Sequence, residues 1–262
     1  HQTPYYPNPT LHIDDNGVSA RVMWQMMSKY DIKGYLLWET VQSYAKGKQL
    51  TGWELYDEII RDNASAGDAF LFYPGKLLGM DTPVPSVRLY YMRDGIEDYD
   101  ATNDLKNNLY KTLAKKYGAE LNADGALDEL YSKTFAINKT WATSGDVATA
   151  RKGLEALLTW ANNGIALSDF ALGADGTITA NVYAPADKQI YLNGKALTGG
   201  ESSGEGVRYA VTGKAENFVL SAIGGEFSVS SEVKSVFVPS VNSIIAYEVA
   251  DGKTVTVLNP EI

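Results

Sequence analysis

The sequence predicts an α/β fold followed by an all-β fold, and three patterns support that prediction. Apolar residues recur at helical spacing over residues 18–30, and a short apolar run follows at 35–41. From residue 165 onward the period changes, and apolar residues alternate with polar ones as they do in strands. We therefore expect an α/β region at 1–118, a helical segment at 119–164 that packs on it, and a small antiparallel β-sandwich at 165–262.

The first predicted unit is a helix that leads into a buried strand. Asp14, Asp15 and Asn16 offer capping oxygens just before residues 18–30. The run at 35–41 is short, apolar and bounded by a turn, as is typical of a parallel strand that is covered on both faces. A helix followed by such a strand is the αβ unit of a barrel or of a doubly wound sheet.

A long aromatic connection precedes the second helix. It contains residues 70–75, and connections of this length are usually functional. Ser86 is a capping residue, so we expect a helix from there to Lys116, with Gly118 supplying the left-handed turn that ends it.

Two further helices and a set of hairpins complete the predicted architecture. Leu127 and Leu154 each belong to an apolar stripe, and Ser144 is expected to cap the second of these helices. Beyond residue 165, the pair Asn193 and Gly194 predicts a tight hairpin turn, and Asp251 with Gly252 predicts another.

Composition disfavours several classes of function. Lys and Arg total 23 against 32 Asp and Glu, and the resulting charge of −9 would repel nucleic acid. Cysteine is absent, so disulfides and thiolate metal sites are excluded. No run approaches the roughly 20 apolar residues that span a bilayer, so no membrane partner is expected.

Nucleotide and zinc motifs are missing too, and the only histidines are His1 and His12. His12, in a polar loop before a helix, is expected at the surface or in a capping role. We therefore predict no cofactor and no metal. The first residues resemble a loop from within a protein, so the natural chain is expected to start earlier or to have been trimmed. A secreted or periplasmic location is favoured.

Trp38 and Glu39 are the first candidates for a functional site, because they stand at the C-terminal end of the predicted strand. In a barrel, side chains at that end face the active-site mouth. A tryptophan there can stack on a pyranose, and a carboxylate can accept hydrogen bonds from hydroxyls or act as acid or base. The alternative is that Trp38 packs under a loop and that Glu39 pairs with an arginine; the sequence leaves both interpretations open.

Loop residues that border the same mouth extend the candidate set. Tyr6, Asn8 and Tyr73 suit polyhydroxyl ligands but are equally typical of packed loops. Asp68 is expected either to bind sugar hydroxyls or to fold its own turn. Arg88, which lies nearest the start of its helix, is assigned to the site.

In the same helix, Arg93 and Glu97 are four residues apart. That spacing predicts a structural ion pair.

Ordered motifs in the first 110 residues or so resemble the C-terminal stretch of the glycoside hydrolase family 123 catalytic domain. The matching segments are YPN, KYDIKGYLLWE, GDAFLFYPG and VPSVRLYYMRDGIEDYD. The resemblance implies a (β/α)8-like barrel whose last helix and strand lie within residues 18–41. It departs from many relatives at Glu39, where a small residue usually follows the tryptophan.

The resemblance also implies a reaction. Such enzymes act on terminal β-linked N-acetylgalactosamine or a related sugar. The 2-acetamido oxygen of the substrate attacks the anomeric carbon. An Asp orients the acetamido group, and a Glu protonates the leaving oxygen. That Asp–Glu pair is expected upstream of residue 1, in a missing N-terminal part that would be a partner of this chain. Glu39 is the remaining catalytic candidate within it.

The competing hypothesis is a non-catalytic carbohydrate-binding or scaffold protein. In that case the predicted sandwich would bind the glycan. No tryptophan follows Trp160, so an aromatic platform there would depend on tyrosines. The candidates are Tyr183, Tyr191, Tyr209 and Tyr247.

Overall fold

The computed structural model describes residues 8–13, 15–37, 39–41, 54, 67, 70–137 and 139–229, together with the strand backbones 246–250 and 254–258. The chain divides into two compact units, His1–Ser231 and Glu232–Ile262. In the described part of the second unit, β11 (Ala246–Ala250) and β12 (Thr254–Leu258) form one antiparallel hairpin. The predicted turn at Asp251 and Gly252 lies outside the described residues.

The first two predicted helices are confirmed. Helix α1 is Ser19–Lys29, and the Asn16 side chain accepts a hydrogen bond from the N–H of Val18 at 3.3 Å. Helix α2 is Val87–Asp104; it continues through the π-helical segment Leu105–Leu109 into α3, Tyr110–Tyr117.

Gly118 ends α3 with a φ of 58°, in the left-handed region that glycine adopts without strain. Ser86 precedes α2 with extended backbone angles, but its side chain makes no capping hydrogen bond.

Helices α4 (Asp124–Ser132) and α5 (Ser144–Asn162) follow, and the predicted cap of α5 is one residue off. The capping residue is Thr143, whose hydroxyl accepts from the N–H of Asp146 at 3.2 Å. The Asp146 carboxylate in turn accepts from the N–H of Thr143 at 2.9 Å, which completes a capping box. This reciprocal pair satisfies two N–H groups at once, so it prevails over a cap by Ser144.

The predicted buried strand at 35–41 is wrong. Among its described residues none belongs to a strand, and Leu36 is 84% exposed. The segment pairs instead through the carbonyl of Thr40, which accepts from the N–H of Leu71 at 2.9 Å, and through an antiparallel bridge between Val41 and Phe70. A fully buried strand needs a layer on each face, and the Leu36 side chain has no such cover.

Among the described residues of the first unit, the strands form three antiparallel sheets. A small one pairs β1 (Phe72–Tyr73) with β2 (Val84–Pro85). A four-stranded sheet has the order β3–β4–β8–β7, and a second has the order β10–β9–β5–β6. Their bounds are β3 Ala166–Leu172, β4 Thr177–Ala184, β5 Tyr191–Leu192, β6 Lys195–Ala196, β7 Glu201–Ser203, β8 Gly206–Lys214, β9 Val219–Ala222 and β10 Gly225–Ser228.

The described sheets are thus antiparallel, and no barrel closes within the described residues. The barrel part, the sandwich and the two domain borders stay predictions. One hairpin is confirmed in detail: Asn193 and Gly194 have φ values of 50° and 74° between β5 and β6, as a type I′ turn requires.

Two apolar clusters fill the interior of the described residues. The larger one joins α3, α4 and α5 to the two four-stranded sheets, and Trp160, Phe218 and Phe227 are fully buried in it. Helix α4 packs on β3 and α5 packs on β10. The smaller cluster consists of Leu11, Ala20, Leu71 and Met92, with partly buried aromatic side chains around it.

Candidate functional site

Arg88, at the start of α2, joins the loop that contains Leu11 to the segment that contains Gly67 and Phe70. Its side chain is 5% exposed, and Nη1 donates to the carbonyl oxygens of Leu11 and of Gly67, the latter at 2.6 Å. Nη2 donates to the carbonyl oxygen of Phe70 and, at 3.5 Å, to the hydroxyl of Tyr73. We call these five residues the Arg88 cluster. Its geometry is that of a side chain that positions loops, since the guanidinium donors point at backbone oxygens.

The segment 70–73 also makes backbone hydrogen bonds to Thr40 and to Ser86. On one side the carbonyl of Thr40 accepts from the N–H of Leu71 at 2.9 Å and of Phe72 at 3.4 Å. On the other side the carbonyl of Leu71 accepts from the N–H of Ser86 at 2.8 Å. Glu39, the residue before Thr40, is thereby brought next to the loops that the Arg88 cluster holds.

Glu39 is half-buried, and its carboxylate is incompletely satisfied. The Oε2 atom is buried and has no hydrogen-bond partner among the described residues. Within the same residues Glu39 forms no ion pair with an arginine, the partner that the alternative interpretation required. Leaving a buried acceptor unsatisfied costs about 1–3 kcal/mol, and more when it is charged. A ligand hydroxyl that donates to Oε2 would remove that cost.

The other predicted site residues divide into two groups. Trp38, Tyr6 and Asp68 lie outside the described residues. Asn8 and Tyr73 are half-buried; Asn8 lies three residues before Leu11, and Tyr73 contacts Arg88. The structure thus brings Glu39, Tyr73 and Arg88 into one region.

The surface position that was one of two expectations for His12 is wrong, because the residue is 5% exposed; the capping role stays a prediction. Its N–H donates to the Thr10 hydroxyl at 3.1 Å. The loop that holds His12 also supplies the Leu11 carbonyl to Arg88, and this contact draws the loop inward.

Sequence reasoning missed the role of Asp98. This buried carboxylate binds Arg21 in α1 through two hydrogen bonds of 2.7 and 2.9 Å, and it binds Arg151 in α5 at 2.7 Å. Gln25 donates to it at 3.3 Å. The hydrogen bond to Asp98 raises the pKa of Arg21. Three helices are therefore joined at one charge, and no local pattern signals it because the partners are 77 and 53 residues away.

The pair that the sequence did predict, Arg93 and Glu97, is confirmed as an exposed contact of 3.9 Å. Arg93 makes its shorter contact with Asp94, at 2.6 Å. Exposed pairs of this kind contribute about 0–1 kcal/mol. The buried Asp98 is the more consequential carboxylate of this helix.

A family model matches the region that contains these residues. Residues 2–105 match the model described as "Glycoside hydrolase 123, catalytic domain". The match supports the family resemblance and the glycoside hydrolase class. It includes Glu39, Arg88 and Asp98, and it ends where the π-helical segment begins. No curated protein matches the chain.

Metal and membrane sites find no support in the described part of the chain. Across the described ranges, no group of three or more His, Asp or Glu side chains is arranged to hold a metal ion. No helix in those ranges has both the length and the apolar character needed to cross a membrane.

The tyrosines of the predicted sandwich include one that the structure buries. Tyr183 packs against Tyr117, with ring centroids 5.7 Å apart. It therefore offers no platform to a ligand.

Proposed function

We propose that this chain is part of a glycoside hydrolase that removes terminal β-linked N-acetylgalactosamine or a related sugar. The match of residues 2–105 to the glycoside hydrolase 123 catalytic domain carries the reaction class. In the proposed mechanism the 2-acetamido oxygen of the substrate attacks the anomeric carbon, with retention of configuration. The Asp that orients that group and the Glu that protonates the leaving oxygen are expected upstream of residue 1.

The proposed role of this chain in that reaction is to hold the sugar. Support comes from Glu39, whose buried Oε2 has no partner among the described residues and can accept a hydrogen bond from a sugar hydroxyl. Trp38, its neighbour, is proposed to stack on the pyranose ring. Tyr6, Asn8, Tyr73 and Asp68 are proposed to line the same region.

Arg88 is proposed to act indirectly, by holding the loops of the substrate site in place. Its hydrogen bonds to Leu11, Gly67 and Phe70 hold the loops on which Asn8 and Tyr73 lie. A lysine at this position has one ammonium in place of the planar fork, and it cannot reach three carbonyls with the same geometry. We therefore treat Arg88 as a positioning residue.

The reaction class is tested by release of nitrophenol from aryl glycosides, including the β-N-acetylgalactosaminide. The chain of residues 1–262 and a version extended upstream in its gene are assayed side by side. We expect activity in the extended protein and none in the shorter one. If neither hydrolyses any glycoside of the panel, the proposed reaction is wrong.

The sugar site is tested separately by binding, with N-acetylgalactosamine as the probe. Glu39→Gln keeps the size of the side chain but removes its charge, and a hydrogen bond to a charged group is worth about 1.5–3 kcal/mol. We expect binding to weaken about tenfold or more. The matched control is Glu54→Gln, an exposed glutamate of the same region, which should leave binding unchanged. Equal binding by Glu39→Gln and its parent would remove Glu39 from the site but leave the reaction class open to the first assay.

A further inference from the structure

A groove of about 210 Å³ lies between the end of α1, the junction of α2 with the π-helical segment, and α4. Its lining is polar on the floor and charged on the rim, and Tyr30 forms one side. The lining residues are Ser28, Lys29, Tyr30, Thr102, Lys106, Asp124, Leu127, Asp128 and Tyr131. It involves neither Glu39 nor the Arg88 cluster, and it is separate from the proposed substrate site.

The floor of the groove carries hydroxyl groups. Ser28 is 6% exposed, and its Oγ is buried without a hydrogen-bond partner in the described part of the chain. Beside it, the hydroxyls of Thr102 and Tyr131 share one hydrogen bond, and burial raises the pKa of Tyr131. A buried hydroxyl without a partner is unfavourable unless a ligand or water completes it.

The rim consists of two ion pairs that balance one another. Lys29 in α1 contacts Asp128 in α4 at 2.9 Å, and Lys106 in the π-helical segment contacts Asp124 at 2.6 Å. All four side chains remain partly exposed. Pairs of this type contribute little stability, so exchanging part of their contact for a ligand hydroxyl costs little. Each pair offers both donors and acceptors, and together they carry no net charge.

Tyr30 adds an aromatic surface that is held in place. It is 46% exposed, its hydroxyl donates to the carbonyl of Ile137 at 2.6 Å, and its ring packs near that of Phe135. The π-helical segment shapes the opposite side, and such segments frequently occur at functional sites.

These features identify the class of ligand. An anion would need a cation that is not already neutralised, and a metal would need carboxylates without lysine partners. A hydrocarbon would need an apolar lining. An aromatic face beside balanced donors and acceptors instead matches a neutral sugar ring, which has apolar C–H faces and hydroxyls that both donate and accept. The volume is below the roughly 300–1,000 Å³ of sites for drug-sized ligands, so it suits one ring.

We propose that this groove is a second, non-catalytic binding site for a single neutral sugar ring, with Tyr30 as its platform and Ser28 in its floor. It does not depend on the proposed hydrolase activity. Combined with the proposed hydrolase function, glycan binding here would keep a polysaccharide or glycoprotein substrate close to the separate substrate site.

The test is a titration of the 15N-labelled chain with methyl β-galactoside and with methyl β-N-acetylgalactosaminide, in parallel with inorganic phosphate. We expect at least one of the two sugars to shift the amide signals of Ser28, Tyr30 and Thr102, and phosphate to leave them in place. Tyr30→Ala should weaken sugar binding about five- to tenfold through the loss of stacking. The matched control is Tyr90→Ala, a tyrosine of α2 with a similar exposure of 48%, which should bind as the parent does.

A second variant guards against a folding defect in the first. Asp128→Ala removes a rim acceptor from an exposed position of α4 and should also weaken binding, with an unchanged circular dichroism spectrum. The proposal is wrong if neither sugar shifts these signals, if phosphate shifts them instead, or if Tyr30→Ala and Asp128→Ala both bind as the parent does. Glu39→Gln should retain binding at the groove, so failure here and failure at the proposed substrate site are distinguishable.

Discussion

Residues 2–105 bury Gln25, Arg88 and Asp98, whereas residues 106–229 bury Trp160, Phe218 and Phe227. In the first region the described apolar cluster is small, and Gln25, Arg88 and Asp98 make hydrogen bonds to loops and helices beside it. In the second region helices and sheets share one large apolar core. Polar interiors define positions more sharply than apolar ones do, because each group needs a partner with specific geometry. The difference teaches that long-range polar contacts hold much of the family-matched region together, whereas apolar packing dominates the region that follows.

Helix α1 packs against both apolar clusters. Val18, Val22 and Met26 enter the large core, while Ala20 lies in the small cluster. Arg21 and Gln25, on the same helix, donate hydrogen bonds to the Asp98 carboxylate. A change in the large core is therefore expected to affect the position of α1, and through it the loops near Arg88.

The largest expected effect tests the two cores directly. Leu154 and Leu71 are each 1% exposed, but Leu154 lies in the large apolar cluster and Leu71 lies in the small one, where fewer apolar side chains surround it. Leu154→Ala should cost about 4 kcal/mol of unfolding free energy and Leu71→Ala about 2 kcal/mol. Urea denaturation measures both. Equal costs would mean that the two clusters contribute equally to stability at these positions, and the comparison would fail.

The next effect concerns the buried charge. Asp98→Ala leaves Arg21 and Arg151 without their shared carboxylate. Breaking a buried ion pair in this way costs about 3 kcal/mol of unfolding free energy. This value is near the lower end of the usual range, because both arginines keep some access to water. The same urea measurement applies. Glu97→Ala, one residue away but exposed, is the matched control and should cost under about 0.5 kcal/mol. Similar costs for the two variants would show that Asp98 does not join the helices energetically.

The smallest expected effect is a pH dependence of the folding stability that arises at an exposed turn of the second region. Hydrogen bonds from the hydroxyl and N–H of Thr177, with Lys214 nearby, lower the pKa of Asp175 to about 2 from its usual 3.8. A carboxylate with a depressed folded-state pKa stabilises the fold above pH 3.8, and this contribution is lost as the pH falls towards 2.

Asp175→Asn should therefore have a slightly lower urea midpoint than the parent at pH 6. At pH 3 and below, the two midpoints should lie closer together. Asp187→Asn, at another exposed turn, serves as the control, because its carboxylate makes no hydrogen bond to a described residue. A constant difference between Asp175→Asn and the parent across that range would contradict the assigned role of the carboxylate.

Local patterns were sufficient for most helices and for the hairpin at Asn193 and Gly194. The spacing of Val18, Val22 and Met26 predicted α1, and Gly118 was correctly expected at the end of α3. The same reasoning failed at 35–41, because an apolar run does not show whether neighbouring layers cover it. It also misplaced the cap of α5, since serine is on average the better capping residue and only the reciprocal contact with Asp146 selects Thr143.

The candidate site was predictable in part. Glu39, Tyr73 and Arg88 were chosen from the sequence, and the structure brings them into one region. The orientation of the Arg88 guanidinium toward backbone carbonyls was not predictable, because those carbonyls carry no signature in the amino-acid sequence.

By itself, the sequence determined the helical spans, the Asn193 and Gly194 turn, the antiparallel character of the later strands and the resemblance to a glycoside hydrolase. These follow from interactions within a few residues or from ordered motifs. Only the tertiary structure decided that Asp98 joins Arg21 to Arg151 and that Ser28, Tyr30 and Asp128 share a groove. The reason is physical: a buried polar group must find a partner wherever the folded chain provides one, and for Asp98 those partners lie 77 and 53 residues away.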